Sequence, residues 1–149
     1  MYTHLLIATD GSELAGKGVD AGIALAAALG ARATLVTVSE PWQDPLPGDP
    51  SGLALSFELR EEQRRAQAAG AERIIAEVRA QAERAGVALE GLYVPERMPD
   101  EAILETAQQR GADLIVMASH GHRGLRKLLL GSQTQAVVSR SAVPVLVVR

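Results

Sequence analysis

Hydrophobic positions along the chain fall into short unbroken runs separated by longer, mixed stretches. The first run, Leu5-Leu-Ile-Ala-Thr, is bounded by Asp10-Gly-Ser and reads as a short buried strand. From residue 13 to 29 the positions Leu14, Gly18, Ala21, Leu25 and Ala28 recur at helical spacing, and Gly30 follows as a stop. Residues 33–38 form a second run rich in β-branched side chains. Prolines at 41, 45, 47 and 50 then forbid regular structure and predict a surface loop. Residues 57–85, dense in Ala, Glu, Arg and Gln, predict a long helix that Gly86 ends, with Gly70 as a weak point or a close packing contact. A third strand is expected over 88–94, then a helix over 100–110 with Pro99 in its first turn and Gly111 at its end. Residues 114–117 give a fourth strand, 132–140 a last helix, and 143–148 a fifth strand.

Strand and helix therefore alternate, which predicts one α/β domain spanning 1–149. Its expected form is an open parallel five-stranded sheet with helices on both faces, joined by right-handed crossovers. Continuous apolar strands suit that architecture, because parallel strands are buried on both sides. In such a sheet ligands bind beyond the carboxyl ends of the strands, where the strand order reverses. The first strand ends in Ala8-Thr-Asp-Gly-Ser and the fourth in Ala118-Ser-His-Gly. Both loops line one crevice if those strands are neighbours, a point the sequence leaves open.

The chemistry concentrates between Met117 and Ser132, a glycine-bearing loop between the fourth strand and the last helix. Glycines let a backbone approach a phosphate closely, and the following helix start presents unpaired N–H groups and the positive end of a dipole. Arg123, Arg126 and Lys127 add positive charge, either toward a phosphate or simply solvating the loop. A phosphorylated ligand is the first expectation.

Composition narrows the class. In 149 residues the hydrophobic fraction is 47% and the charged fraction 22%, a globular balance, and the formal net charge of -3 argues against general nucleic-acid binding. No apolar run approaches the roughly 20 residues of a membrane span. Zero cysteines exclude disulfides and thiol chemistry. With no basic, signal-like start, the expected setting is the cytoplasm.

Taken together, these stretches resemble the universal stress protein family in its ATP-binding branch, which carries a Gly-x-x-Gly-x9-Gly-[Ser/Thr] motif. Gly121, the nine residues that follow, and Gly131-Ser132 match its second part, while Ala118 stands at the first glycine. The opening strand with Asp-Gly-Ser, the Asp113-Leu-Ile-Val-Met strand and the Pro144-Val-Leu-Val-Val ending extend the likeness over the whole chain. The resemblance implies a Rossmann-like, adenine nucleotide α-hydrolase-like fold. It also implies that Ala8, Thr9 and Asp10 hold the adenosine, with Asp10 near the ribose, and that Val38 gives the adenine a backbone contact. Met117 and Ala118 would border the nucleoside, and Gly121, Gly131, Ser132 and Gln133 would surround the phosphates. From the residues themselves, His120 is a candidate nucleotide neighbour or loop-orienting residue, and Arg123 a candidate phosphate contact. The resemblance further implies ATP as ligand, with Mg or Mn on its phosphates, and a homodimer through the last strand.

Each of these residues also has a plainer reading. Asp10-Gly-Ser-Glu13 has capping-box spacing, and Ser132-Gln-Thr-Gln135 has the same ambiguity. His120 and His122 sit two apart, but zinc wants three or four donors, so a zinc site is rejected. The last strand is apolar on both faces, and Pro144 suits an edge, where pairing with a second copy would cover it. No catalytic base or Ser–His arrangement is readable, so the expected role is a nucleotide-dependent regulator of a stress response with at most slow ATP hydrolysis. The competing reading is a dimeric interaction module that does not bind nucleotide, and Ala118 is the feature that favours it.

Overall fold

A computed structural model describes residues 1–45, 47–48, 50–120 and 130–149. In chain order the elements are β1 (His4–Ala8), α1 (Glu13–Leu29), β2 (Arg32–Val38), α2 (Leu53–Arg84), β3 (Leu89–Val94), α3 (Pro99–Arg110), β4 (Leu114–Ala118), α4 (Ser132–Arg140) and β5 (Val145–Val148). The strands stand in the order β3-β2-β1-β4-β5, all parallel. The order reverses between β1 and β4, where Leu5 pairs with Leu114 and Ile7 with Val116. The adjacency that the sequence left open is thus present.

Side-chain alternation sorts the core into two layers. Leu5, Ile7, Leu35, Leu114 and Val116 pack with Val19 and Ile23 of α1 and Val78 and Ala82 of α2. Leu6, Ala8, Val36, Ile115 and Met117 pack on the opposite face with Ile103 and Ala107 of α3 and Val137 of α4. Strands buried on both faces are what a covered parallel sheet requires.

Three local expectations need correction. Ser12, not Asp10, caps α1: its side chain accepts from Ala15 N at 3.2 Å, and Asp10 Oδ1 instead accepts from Ser12 N at 3.0 Å. The carboxylate therefore stabilises the turn before the helix rather than the helix itself. Helix α2 starts at Leu53, ahead of the expected 57, because residues 50–52 already form a tight helical turn with Pro50 at its first position, where a missing N–H costs nothing. Strand β5 starts at Val145 because Pro144 has no N–H to give, and only its carbonyl joins the ladder, accepting from Ile115 N at 3.0 Å.

Candidate functional site

The site is built at the carboxyl ends of β1, β2 and β4, beside the reversal in strand order. Two short-range features hold its walls. Thr9, just past β1, donates its N–H to Val36 O at 3.1 Å and accepts from Gly11 N through Oγ1 at 3.2 Å, so the loop turns sharply toward α1. Past the loop that follows β4, Gly131 donates to Ser119 O at 2.8 Å, and a Cβ built on Gly131 would lie 3.2 Å from that carbonyl. A side chain there would push the two strands of backbone apart. Close approach, not an unusual backbone angle, is what the glycine supplies, since its φ of -57 and ψ of 153 suit any residue.

These walls enclose a cavity of about 740 Å³. Ala8, Thr9, Asp10, Val38, Met117, Ala118, His120, Gly131, Ser132 and Gln133 all line it. Gly121 and Arg123, the other two expected residues, lie outside the described residues. So do His122, Arg126 and Lys127.

The lining residues at the end of β4 and the start of α4 are also tied into the rest of the protein. Gly131 is the N-cap of α4 and makes no side-chain cap bond, so Ser132 is the first residue inside the helix rather than its cap. The first turn of α4, through Ser132, Gln133 and Thr134, thus lines the cavity, and a helix's first N–H groups have no partner within the helix. Gln133 is committed elsewhere by one atom: its Oε1 accepts from Asp100 N at 3.1 Å and caps the start of α3, whose own N-cap residue Met98 makes no side-chain bond. The Asp100 carboxylate is in turn paired with Arg140 at 2.7 Å, which fixes α3 against α4. Ala118 ends β4 and pairs with Val148. By alternation its methyl shares the face of Leu114 and Val116, toward α1, where Gly18 passes so close that an added Cβ would sit 3.1 Å from Ala118 N. Its carbonyl accepts from Thr134 Oγ1 at 3.0 Å.

His120 lines the cavity beside Gly131. Its Nδ1 contacts Ser119 Oγ at 3.2 Å, while Nε2 is buried with no protein partner among the described residues. Among those residues, no group of three or more His, Asp or Glu side chains could hold a metal ion. The acidic residues on the cavity wall are Asp10 and Glu40, and no described lysine or arginine lines it.

One wall was not legible as such. Helix α2 has 32 residues, which makes it about 48 Å long, whereas the longest strand, β2 with 7 residues, spans about 23 Å. Its C-terminal half packs on the sheet through Ala71, Val78 and Ala82, and Ile75 approaches β3 so closely that a Cβ on Gly91 would collide with it. The N-terminal half overhangs the carboxyl edge, and there Gln63, Gln67 and Gly70 line the cavity. Two contacts steady the overhang: Ser56 Oγ donates to Asp44 Oδ1 at 2.9 Å, and Arg60 donates to Glu96 Oε1 through Nη2 at 2.8 Å and Nε at 3.2 Å. Ser39 anchors the opposite rim, with Tyr93 Oη at 2.9 Å and its carbonyl accepting from Arg97 N at 2.9 Å. A helix whose length exceeds what the sheet can cover is the signal that would have exposed this wall.

Comparison with known proteins places the chain. A universal stress protein of Thermus aquaticus, encoded in the QAH/OAS sulfhydrylase 3' region, is 38% identical over 149 residues, covering all of both chains. The solved structure of MJ0577 from Methanocaldococcus jannaschii matches with a TM-score of 0.81 at 28% identity, covering 99% of this chain and 96% of that one. A universal stress protein solved in complex with cAMP matches with a TM-score of 0.68 at 26% identity, covering 99% and 97%. The model of the universal stress protein family matches residues 1–149, and with the fold and these relatives in agreement, this chain belongs to that family.

Proposed function

We propose that the protein binds an adenine nucleotide in the cavity at the carboxyl edge of the sheet and serves as a nucleotide-dependent regulator of a stress response. One observation carries this reading. Residues from four separated stretches, around 8–10, 38, 117–120 and 131–133, line a single cavity at the reversal of strand order, with the N-terminus of α4 facing into it. A helix start of that kind suits phosphate, and Asp10 lies across the cavity where a ribose hydroxyl can meet a carboxylate. The cAMP bound by a relative supports adenine as the base.

ATP is the proposed resident ligand. With no described cluster of metal-binding side chains, a magnesium or manganese ion in this reading is held by phosphate oxygens and water. Catalysis is not part of the proposal beyond slow hydrolysis. The same reading sets the protein in the cytoplasm. It also makes it a homodimer: β5 is an edge strand, Leu146 on it is 39% exposed, and Val138 on the neighbouring α4 is 43% exposed.

The alternative, an interaction module without nucleotide, drew on the missing glycine at 118. Ala118 has ordinary strand geometry and turns its methyl toward α1, so it gives that alternative little support. Titration calorimetry with ATP and magnesium, and with AMP, tests the proposal directly. Binding is expected for the wild type, and Ala118→Gly is expected to change affinity by less than about threefold, since a single methyl turned toward α1 contributes little. No heat and no thermal stabilisation with either nucleotide would refute it. A sedimentation mass of one chain at micromolar concentration would refute the dimer alone.

A further inference from the structure

The overhanging half of α2 has a change of character that the nucleotide site, as described, does not use. Its inward line runs through Ser56, Arg60, Gln63, Gln67, Ala71, Ile74, Val78 and Ala82, spaced three and four apart as one helix face. From Ala71 onward, where the helix lies on the sheet, the line is apolar. Before it, where the helix leaves the sheet, the line is polar, and its two members on the cavity wall are both glutamines. The outward face beside them carries Glu62, Arg65, Glu72 and Arg73, all exposed. A merely solvated inner face would be expected to carry the same charges. On the cavity wall that line instead presents uncharged carboxamides, Arg60 before them being paired with Glu96, and Gln67 is half-buried.

The dimensions set what meets them. If the phosphate sits at the start of α4, beside the end of β4, then β2 lies two strands across the sheet, roughly 10 Å away. That is the reach of a mononucleotide, and it leaves the base over the end of β2. There the cavity is walled by Val38, Ser39 and Tyr93 on the sheet side and by α2 on the other. A primary carboxamide offers an N–H donor beside a C=O acceptor, the pattern that pairs with the amino group and neighbouring ring nitrogen of adenine. We infer that Gln67, assisted by Gln63 one turn earlier, is the specificity-determining contact through which α2 reads the base. The inference rests on the adenine-nucleotide reading above and assigns the α2 wall to the base rather than to the sugar or phosphate.

The test compares AMP with ribose 5-phosphate, which keeps sugar and phosphate but lacks the base, on the full chain by calorimetry and by NMR titration at millimolar ligand. Gln67→Leu, of similar size without hydrogen bonds, is expected to weaken AMP binding by about tenfold, the loss of a base contact that leaves its partner unsatisfied. Ribose 5-phosphate binding and the melting temperature of the unliganded protein should stay unchanged. Gln63→Leu should act in the same direction by about threefold, being more exposed. Unchanged AMP affinity in Gln67→Leu overturns the inference. So does a parallel loss of both ligands, or a loss of AMP matched by a lower melting temperature, because either assigns Gln67 to holding α2 in place. Failure of the wild type to bind AMP or ATP would instead overturn the nucleotide reading and this inference with it.

Discussion

The two ends of the same sheet use their aspartates in opposite ways. At the amino end Asp113, just before β4, accepts from Thr3 N and Thr3 Oγ1 at 2.8 Å each and from His4 N at 3.0 Å, lashing the start of β1 to the start of β4. At the carboxyl end Asp10, just after β1, faces the cavity and braces its own loop through Ser12 N. One carboxylate closes the gap between neighbouring strands, and the other stands at the edge of a gap left open. The lesson is that strand adjacency alone does not make a site. Where acceptors are saturated by backbone donors the junction is structural, and where helix starts and carboxylates face a shared hollow it is available to a ligand.

The largest effects should follow from exchanging the roles of these two residues. Asp113→Ala removes a charge-assisted acceptor from two backbone N–H groups and a hydroxyl, and is expected to cost about 3 kcal/mol of stability in urea unfolding. AMP affinity of the remaining folded protein should change by less than about twofold. Asp10→Ala should do the reverse, lowering AMP affinity by about tenfold while costing less than about 1 kcal/mol of stability, because Ser12 still caps α1. If Asp113→Ala weakens AMP binding as much as Asp10→Ala does, the functional contrast between the two ends fails.

Acid sharpens the same contrast at the amino end. His4 is 4% exposed, with Nε2 against Thr34 Oγ1 at 2.8 Å, and its pKa is lowered from the ordinary 6.5. Burial is the main cause and the Arg32 charge adds to it, against the raising effects of the Arg110 carbonyl, Asp113 and Glu90. The folded state therefore binds this proton less readily than the unfolded state. As pH falls below 6.5 the unfolded chain takes up a proton that the folded chain refuses, so stability declines toward the folded-state value, by at most about 1.4 kcal/mol per unit. Asp113 behaves differently. Burial alone would raise its pKa, yet the N–H groups of Thr3 and His4 and the Thr3 hydroxyl outweigh that and hold it below the ordinary carboxylate value. Its contribution is present above that range and is lost only as pH falls through the lowered folded value. Urea midpoints at pH 7.5, 6.5 and 5.5 should thus fall in the wild type, and less steeply in His4→Gln. Equal slopes in the two proteins would show that His4 does not set the acid response.

Much of this was legible in the chain. Unbroken apolar runs such as Leu5-Leu-Ile marked strands, and glycines at 30, 86 and 111 marked helix ends, each now in a left-handed conformation. The lining residues taken from the family resemblance fall together because the β1–β4 pairing unites their loops. That pairing itself was not legible: it joins Leu5 to Leu114, and parallel pairing across such a separation leaves no local trace. Capping was misplaced because Asp10 and Ser12 are both good caps, and only the backbone shows which one stands at the first helical turn. The glutamine wall was hidden for another reason. Polar residues on a helix facing a cavity look like polar residues facing water until the point where the helix leaves the sheet is known.

Gly70 offers the finest test of that wall. It lies in the middle of α2, where glycine is costly, and it was expected to mark a weak point or a close packing contact. The second expectation does not hold: among the described residues a Cβ built there meets only Arg73 Nη2, at an ordinary 3.8 Å. With no clash to relieve and a regular helix on either side, Gly70→Ala is expected to stabilise the protein by about 0.5–1 kcal/mol. The added methyl enters the cavity rim near Gln67, so AMP affinity should fall slightly, by less than about threefold, while the melting temperature of the unliganded protein rises. Opposite signs in stability and affinity would mean that the chain keeps a weaker helix to leave room for a ligand. A gain in stability with no change in binding would separate Gly70 from the ligand and confine the working part of the wall to the glutamines above it. A loss of stability would mean that the middle of α2 is not the regular, uncrowded helix on which the wall depends.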